Sequence, residues 1–201
     1  LAAALPCVVQ VFPLRVERLV ADYPERRQRR RKWFSAAKAA RNHSPVLIEG
    51  ESGTGKEMLI RAIHASSPRS RMPLRIVNIG GMPVNSIESV LFGHEKGAFT
   101  GAFERQIGAL QHCDGGTLAI DEIDRLPMSV QERLIDSLSR GDVRPIGANY
   151  SYKVDVRLLT ASNLPLRDLV DAGHFLPELL QHIAPVSVSL PPPPIRVSLP
   201  W

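Results

Sequence analysis

Gly50-Glu51-Ser52-Gly53-Thr54-Gly55-Lys56 has the GxxxxGK spacing that chemistry with phosphates needs. Glycines let the backbone fold around a phosphate so that several N–H groups point inward. A following helix adds the positive potential of its N-terminus, and the lysine neutralises the outer phosphates. The Ser or Thr that usually ligates Mg²⁺ after the lysine is replaced by Glu57, a longer and charged acceptor. Further along, Gly116-Thr-Leu-Ala-Ile120 ends in two adjacent carboxylates, Asp121 and Glu122. An acid pair delivered at a strand end suits nucleotide hydrolysis, with Asp121 holding the Mg²⁺ shell and Glu122 polarising the attacking water. Between the two stands Gly97-Ala98-Phe99-Thr100-Gly101-Ala102, in which glycines flank an aromatic and a hydroxyl. That composition describes a flexible loop with an adhesive tip.

Elements of alternating type must hold these groups. Val46-Leu47-Ile48 reads as a strand and Lys56 to Ser66 as a helix. Leu74 to Ile79 reads as a strand, Ser86 to Phe92 as a short helix and Thr117 to Ile120 as a strand. Ser129 to Leu138 has helical spacing, Val154 to Thr160 reads as a strand, Leu166 to Val170 as a helix and Val186 to Leu190 as a last strand. Strands alternating with helices predict an α/β fold, a mostly parallel sheet covered on both faces.

The composition limits the alternatives. With 201 residues, 44% hydrophobic and 22% charged, the chain can bury a substantial core and is too short for a multidomain assembly. Cys7 and Cys113 have no metal or CxxC spacing, which excludes a disulfide scaffold or zinc module and points to a reducing, cytoplasmic compartment. The net charge of +5 is local: residues 26–32 carry six positive charges, and without them the balance is 5 − 6 = −1. That run reads either as a solvated linker or as a phosphate-backbone contact. Residues 1–14 are apolar but fall short of the roughly 18 needed to cross a bilayer, so no membrane partner is expected. Residues 1–32 thus form an apolar and then basic segment, 33–190 a nucleotide-binding core and 191–201 a proline-rich tail. His43, His64, His94, His112 and His174 show no ligand spacing and are expected at the surface or at helix caps.

The hexapeptide GAFTGA, the preceding LFGHEKGAF, the GESGTGKE loop and the later GGTL and DEI resemble the AAA+ domain of bacterial enhancer-binding proteins, activators of RNA polymerase carrying sigma-54. The resemblance runs from about residue 36 to 190 and implies a P-loop NTPase three-layer sandwich with Walker A and Walker B elements. It makes Glu57 a family feature, ATP and Mg²⁺ the cofactors, and residues 50–57 with Asp121 the nucleotide site. Gly97, Ala98, Phe99, Thr100, Gly101 and Ala102 would contact sigma-54 polymerase. Asn78 matches the asparagine that pairs with the catalytic glutamate, here Glu122, and Asn163 matches the sensor I residue that reads the γ-phosphate. The alternative for either Asn is a plain strand-end cap. Arg144, ahead of Pro145-Ile-Gly147, matches a family arginine of less defined role.

The pattern departs from the family where Leu176 and His182 stand in place of the two arginines that reach a neighbouring subunit's ATP in the family's ring. The helical lid expected after Leu190-Pro-Pro is replaced by proline-rich sequence, so the lid and any DNA-binding domain are expected to be absent. The implied function is an ATP-hydrolysing activator core. The alternative is a non-hydrolysing nucleotide-binding remnant that acts as an interaction module.

Overall fold

A strand covered by helices on both sides must be apolar on both faces, and Val46-Leu47-Ile48 meets that requirement. In the computed structural model, which describes residues 43–191, it forms most of β1 (Val46–Glu49) near the middle of a five-stranded sheet. The partners are β2 (Leu74–Asn78), β5 (Thr117–Asp121), β8 (Arg157–Ser162) and β9 (Val186–Ser189), in the order β2-β5-β8-β1-β9. Every pairing is parallel. Asn78 lies opposite Asp121, Ile120 opposite Thr160 and Glu49 opposite Ser162, so the carboxyl ends of four strands open on one edge.

Side chains alternate between the two faces of a strand, and the core divides accordingly. Val46, Ile48, Ala119, Leu159 and Val188 pack with Leu59, Ile60 and Ile63 of α1 (Lys56–Ala65). Leu47, Leu118, Ile120 and Leu158 face the opposite layer, built from α2 (Val84–Phe92), α3 (Ala109–His112), α4 (Met128–Arg140), α5 (Leu166–Asp171) and α6 (Pro177–Ile183). Two small hairpins complete this layer: β3 (Gly93–His94) with β4 (Gln106–Ile107), and β6 (Asp142–Val143) with β7 (Tyr152–Lys153). The result is the three-layer α/β sandwich expected from the sequence.

Two sequence readings need correction. Val154 to Thr160 is not one strand. The chain turns at Asp155, whose carboxylate takes two bonds from Arg69 at 2.8 and 2.9 Å and whose backbone bonds Gly115 and Asp114. The segment before it pairs with β6, and only from Arg157 does it enter the main sheet. His64 and His94 are not surface residues. His64 occupies the buried stripe of α1 one turn after Ile60 and bonds Thr117 Oγ1 at 3.0 Å, and His94 bonds Ser89 Oγ at 2.7 Å. Residues 1–32 with the basic run, and all of the tail beyond Pro191, lie outside the described residues. No helix among the described residues is long and apolar enough to cross a membrane.

Candidate nucleotide site

The loop between β1 and α1 turns by means of Gly53 and Gly55, at φ of 80° and 88°, where a side chain would be strained. Thr54 folds back onto the Glu51 carbonyl through its hydroxyl at 2.8 Å. Gly55 caps α1, and no side chain covers the helix N-terminus, so the first-turn N–H groups are left to an anion. Lys56, only 7% exposed, donates to the Gly50 carbonyl at 2.7 Å, the Glu51 carbonyl at 2.9 Å and Asn163 Oδ1 at 2.6 Å. All three ammonium protons thus have acceptors, two of them in the loop's own backbone. Ser52 is exposed. Glu57 points outward along α1 and pairs with Arg61 at 2.6 Å, so its carboxylate is engaged away from the loop.

The acid pair lies at the end of β5. Asp121 Oδ1 accepts the Glu122 amide at 3.0 Å, and Asn78 Nδ2 reaches Asp121 Oδ2 at 3.3 Å and Glu122 Oε1 at 3.5 Å. Burial pushes the Asp121 carboxyl above the usual carboxylate range; the Glu122 amide and the Lys56 charge act the other way, while Glu122 and Glu57 add to the rise. A cation on Asp121 would relieve that cost. Among the described residues no cluster of three acids, histidines or cysteines forms a metal cage.

Glu122 itself has φ 58°, the one positive value at a non-glycine residue among those described. Such strain concentrates at functional sites. The turn aims its carboxylate at Gly80 and Arg125, whose Nε lies 2.9 Å from Oε2. Gly80 is held in turn by its amide bond to Asn78 Oδ1 at 2.8 Å. Asn163 follows the end of β8, so Lys56, Asn78, Asp121, Glu122 and Asn163 are gathered from four adjacent strand ends.

Residues 97–102 form the tip joining β3 to β4, with Gly97 and Gly101 at φ of 80° and 100°. Gly97 N bonds Ala102 O at 2.8 Å, and Ala102 N bonds Phe99 O at 3.0 Å. Ala102 is buried and Ala98 lies against Gly147, while Thr100 is exposed. Phe99 is partly exposed, with its ring edge-on to His94 at 4.9 Å. Sequence reading passed over Phe103, 82% exposed just beyond the motif; an aromatic two positions after Gly101 was the available signal. The hairpin is fastened to its neighbour by Glu95 N on Ile146 O at 2.9 Å and by Arg105 on Tyr152 at 2.6 Å. Arg144 donates to Ala148 O at 2.6 Å within this neighbouring turn. Leu176 caps α6 with its amide on Gln131 Oε1 at 2.8 Å, and His182 bonds Ser139 Oγ at 3.2 Å.

Residues 24–189 match the family described as the Sigma-54 interaction domain. The hydrogenase transcriptional regulatory protein HoxA of Cupriavidus necator is 45% identical over 157 residues, which cover 78% of this chain and 33% of HoxA. The chain spans about a third of the length of the curated relatives it matches. NtrX from Brucella abortus, solved in complex with ATP, superposes with a TM-score of 0.73 at 31% identity, covering 81% of this chain and 36% of NtrX. The P-loop NTPase domain of a sigma-54 activator from E. coli shares the fold at a TM-score of 0.55 and 16% identity, covering 83% and 94% of the two chains. A P-loop NTPase fold with this sequence match places the chain in one family: it belongs to the sigma-54 interaction domain family of transcription regulators.

Proposed function

We propose that residues 33–190 form the ATP-hydrolysing core of a cytoplasmic sigma-54-dependent activator, which uses nucleotide state to move the 97–102 tip against sigma-54 RNA polymerase. The observation that carries this reading is the convergence of Lys56, Asn163, Asp121, Glu122 and Asn78 at one sheet edge, with Lys56 and Asn163 in direct contact at 2.6 Å. In this reading residues 50–56 wrap the phosphates, and Lys56 exchanges its backbone carbonyls for phosphate oxygens. Asp121 would hold Mg²⁺, and Glu57, in the first turn of α1, would join the site only on leaving Arg61. The metal, when bound, draws charge from the phosphates. Glu122 orients and deprotonates the attacking water, and Asn78 holds Glu122 until the site is ready. Asn163 turns its oxygen to Lys56, leaving its amide N–H₂ to donate to an acceptor such as a phosphate oxygen.

Calorimetry with Mg²⁺–ATP tests the assignment. Lys56→Ala is expected to weaken ATP at least about a hundredfold, since charge-assisted bonds each contribute ~1.5–3 kcal/mol. Glu122→Gln should bind as the parent does and lose turnover. Equal affinity of Lys56→Ala and the parent would overturn the reading.

A second reading, nucleotide binding without efficient turnover, is favoured by Leu176 and His182. Neither carries a guanidinium, and the His182 ring is engaged within the chain on Ser139. A trans-acting arginine contributes about 10³–10⁵ in rate in related chemistry. Restoring Leu176→Arg and His182→Arg together should raise turnover in a ring. A rate that climbs with protein concentration would mark the self-assembly that such sharing needs.

A further inference from the structure

We propose that Asp124 is a positioning residue for the nucleotide site, fixing Asn163 where it meets Lys56. The inference rests on the nucleotide reading above and adds a residue outside both the phosphate loop and the acid pair.

The turn after β5 carries two functions on opposite sides. Ile123 is fully buried and anchors a short 3₁₀ turn, Ile123–Arg125, closed by Arg125 N on Glu122 O at 2.9 Å and Leu126 N on Ile123 O at 3.0 Å. On one side Glu122 faces Gly80, Asn78 and Arg125. On the other, Asp124 Oδ1 lies 3.0 Å from the Asn163 amide and 3.1 Å from Ser162 Oγ. Ser162 is fully buried at the end of β8. The carboxylate therefore holds the backbone at the point where the chain leaves the sheet, and the next atoms outward are the Asn163 side chain and its bond to Lys56.

Asn163 follows the last residue of its strand, and beyond it Leu164 and Pro165 are exposed. A residue at such a point is held by few backbone bonds, and a one-ångström drift would take Oδ1 out of range of Lys56. An ionised acceptor on its amide restrains it more firmly than a neutral one. Asp124 and Glu122 also share one turn, so the residue that would read the outer phosphate and the residue that would activate water are fixed to a common rigid piece.

The test combines a measurement that needs no nucleotide with one that does. Amide hydrogen exchange at Asn163 is expected to speed up about tenfold in Asp124→Ala and by less in Asp124→Asn, which keeps a neutral acceptor oxygen. In calorimetry the preference for ATP over ADP should fall in Asp124→Ala toward that of Asn163→Ala. The double variant Asp124→Ala/Asn163→Ala should be no worse than Asn163→Ala alone. Should Asp124→Ala fail to fold, Asp124→Ser, too short to reach the amide, takes its place, with thermal unfolding as the control. Parent-like exchange at Asn163 in Asp124→Ala or Asp124→Ser would overturn the proposal, as would an unchanged ATP-to-ADP ratio. A parent that binds neither nucleotide would instead overturn the nucleotide reading, and the exchange result would still decide the role of Asp124.

Discussion

The carboxylate of Glu122 rests on Gly80 so closely that a Cβ at residue 80 would come within 2.6 Å of Glu122 Cδ. Gly80 is required there by close approach, since its own φ is not in the left-handed region. Gly80→Ala should therefore displace Glu122 with little effect on the core. Because a shift of about 1 Å at a reacting group can cost roughly a hundredfold, turnover is expected to fall about 10- to 100-fold at unchanged ATP affinity. Steady-state kinetics beside calorimetry separate the two.

Arg125 competes for the same carboxylate. Its Nε lies 2.9 Å from Glu122 Oε2, with the arginine side chain 61% exposed. Partly exposed pairs of this kind contribute ~0.2–1 kcal/mol, so Arg125→Ala should release Glu122 and raise turnover by up to about fivefold. Salt screens such pairs. Turnover of the parent should therefore climb relative to the variant as ionic strength is raised, and parallel salt profiles would refute a restraining role.

Phe103 presents more of its side chain to solvent than Phe99 does. If the 97–102 tip binds sigma-54, an aromatic at its base should share the contact. Phe103→Ala is expected to weaken sigma-54 capture about tenfold or more, the loss typical of a buried aromatic anchor, and to leave ATP affinity alone. A pull-down with purified sigma-54 and a transition-state analogue reads the loss, with Thr100→Ala in parallel.

His64 gives the fold a pH dependence. Burial is the main reason its pKa lies below the usual 6.5; the Arg157 charge also lowers it, and a bond with the Met72 backbone partly opposes both. The folded state thus takes up a proton less readily than the unfolded chain. Stability from this group is full above about pH 6.5 and is lost as the pH falls toward the folded value. The melting temperature should drop between pH 7.5 and 5.5, and His64→Gln should flatten that slope.

What could be read from the sequence was what is local in it. The phosphate loop is fixed by the spacing of Gly50, Gly53, Gly55 and Lys56 between an apolar run and a helix. Neighbours in that stretch determine each other's geometry, and the strands and longer helices follow from short-range periodicity in the same way. The contacts that complete the site join residues far apart. Lys56 meets Asn163, Asp124 meets Ser162, and Glu122 needs a glycine at position 80. No local pattern encodes such meetings. His64 was misread as a surface or cap residue, although it stands one turn after Ile60 on the stripe of α1 that packs on the sheet. The hairpins β3–β4 and β6–β7 were not, since strands of two residues carry no period.

The brace behind the phosphate loop sets an order of events during synthesis. Gly50 admits no larger residue without pressing on Leu190, whose amide bonds Glu49 O at 2.7 Å just past β9. Strand β1, near the start of the described residues, finds its two sheet neighbours only in β8 and β9, more than a hundred residues later. Until those segments leave the ribosome, Val46-Leu47-Ile48 is an apolar strand with both edges open, the kind that adheres to other chains. Such long-range pairing is slow to form. A nascent chain arrested before Val186 would hold the glycine loop in sequence but not in shape, and chaperone dependence should end abruptly as β9 closes the sheet.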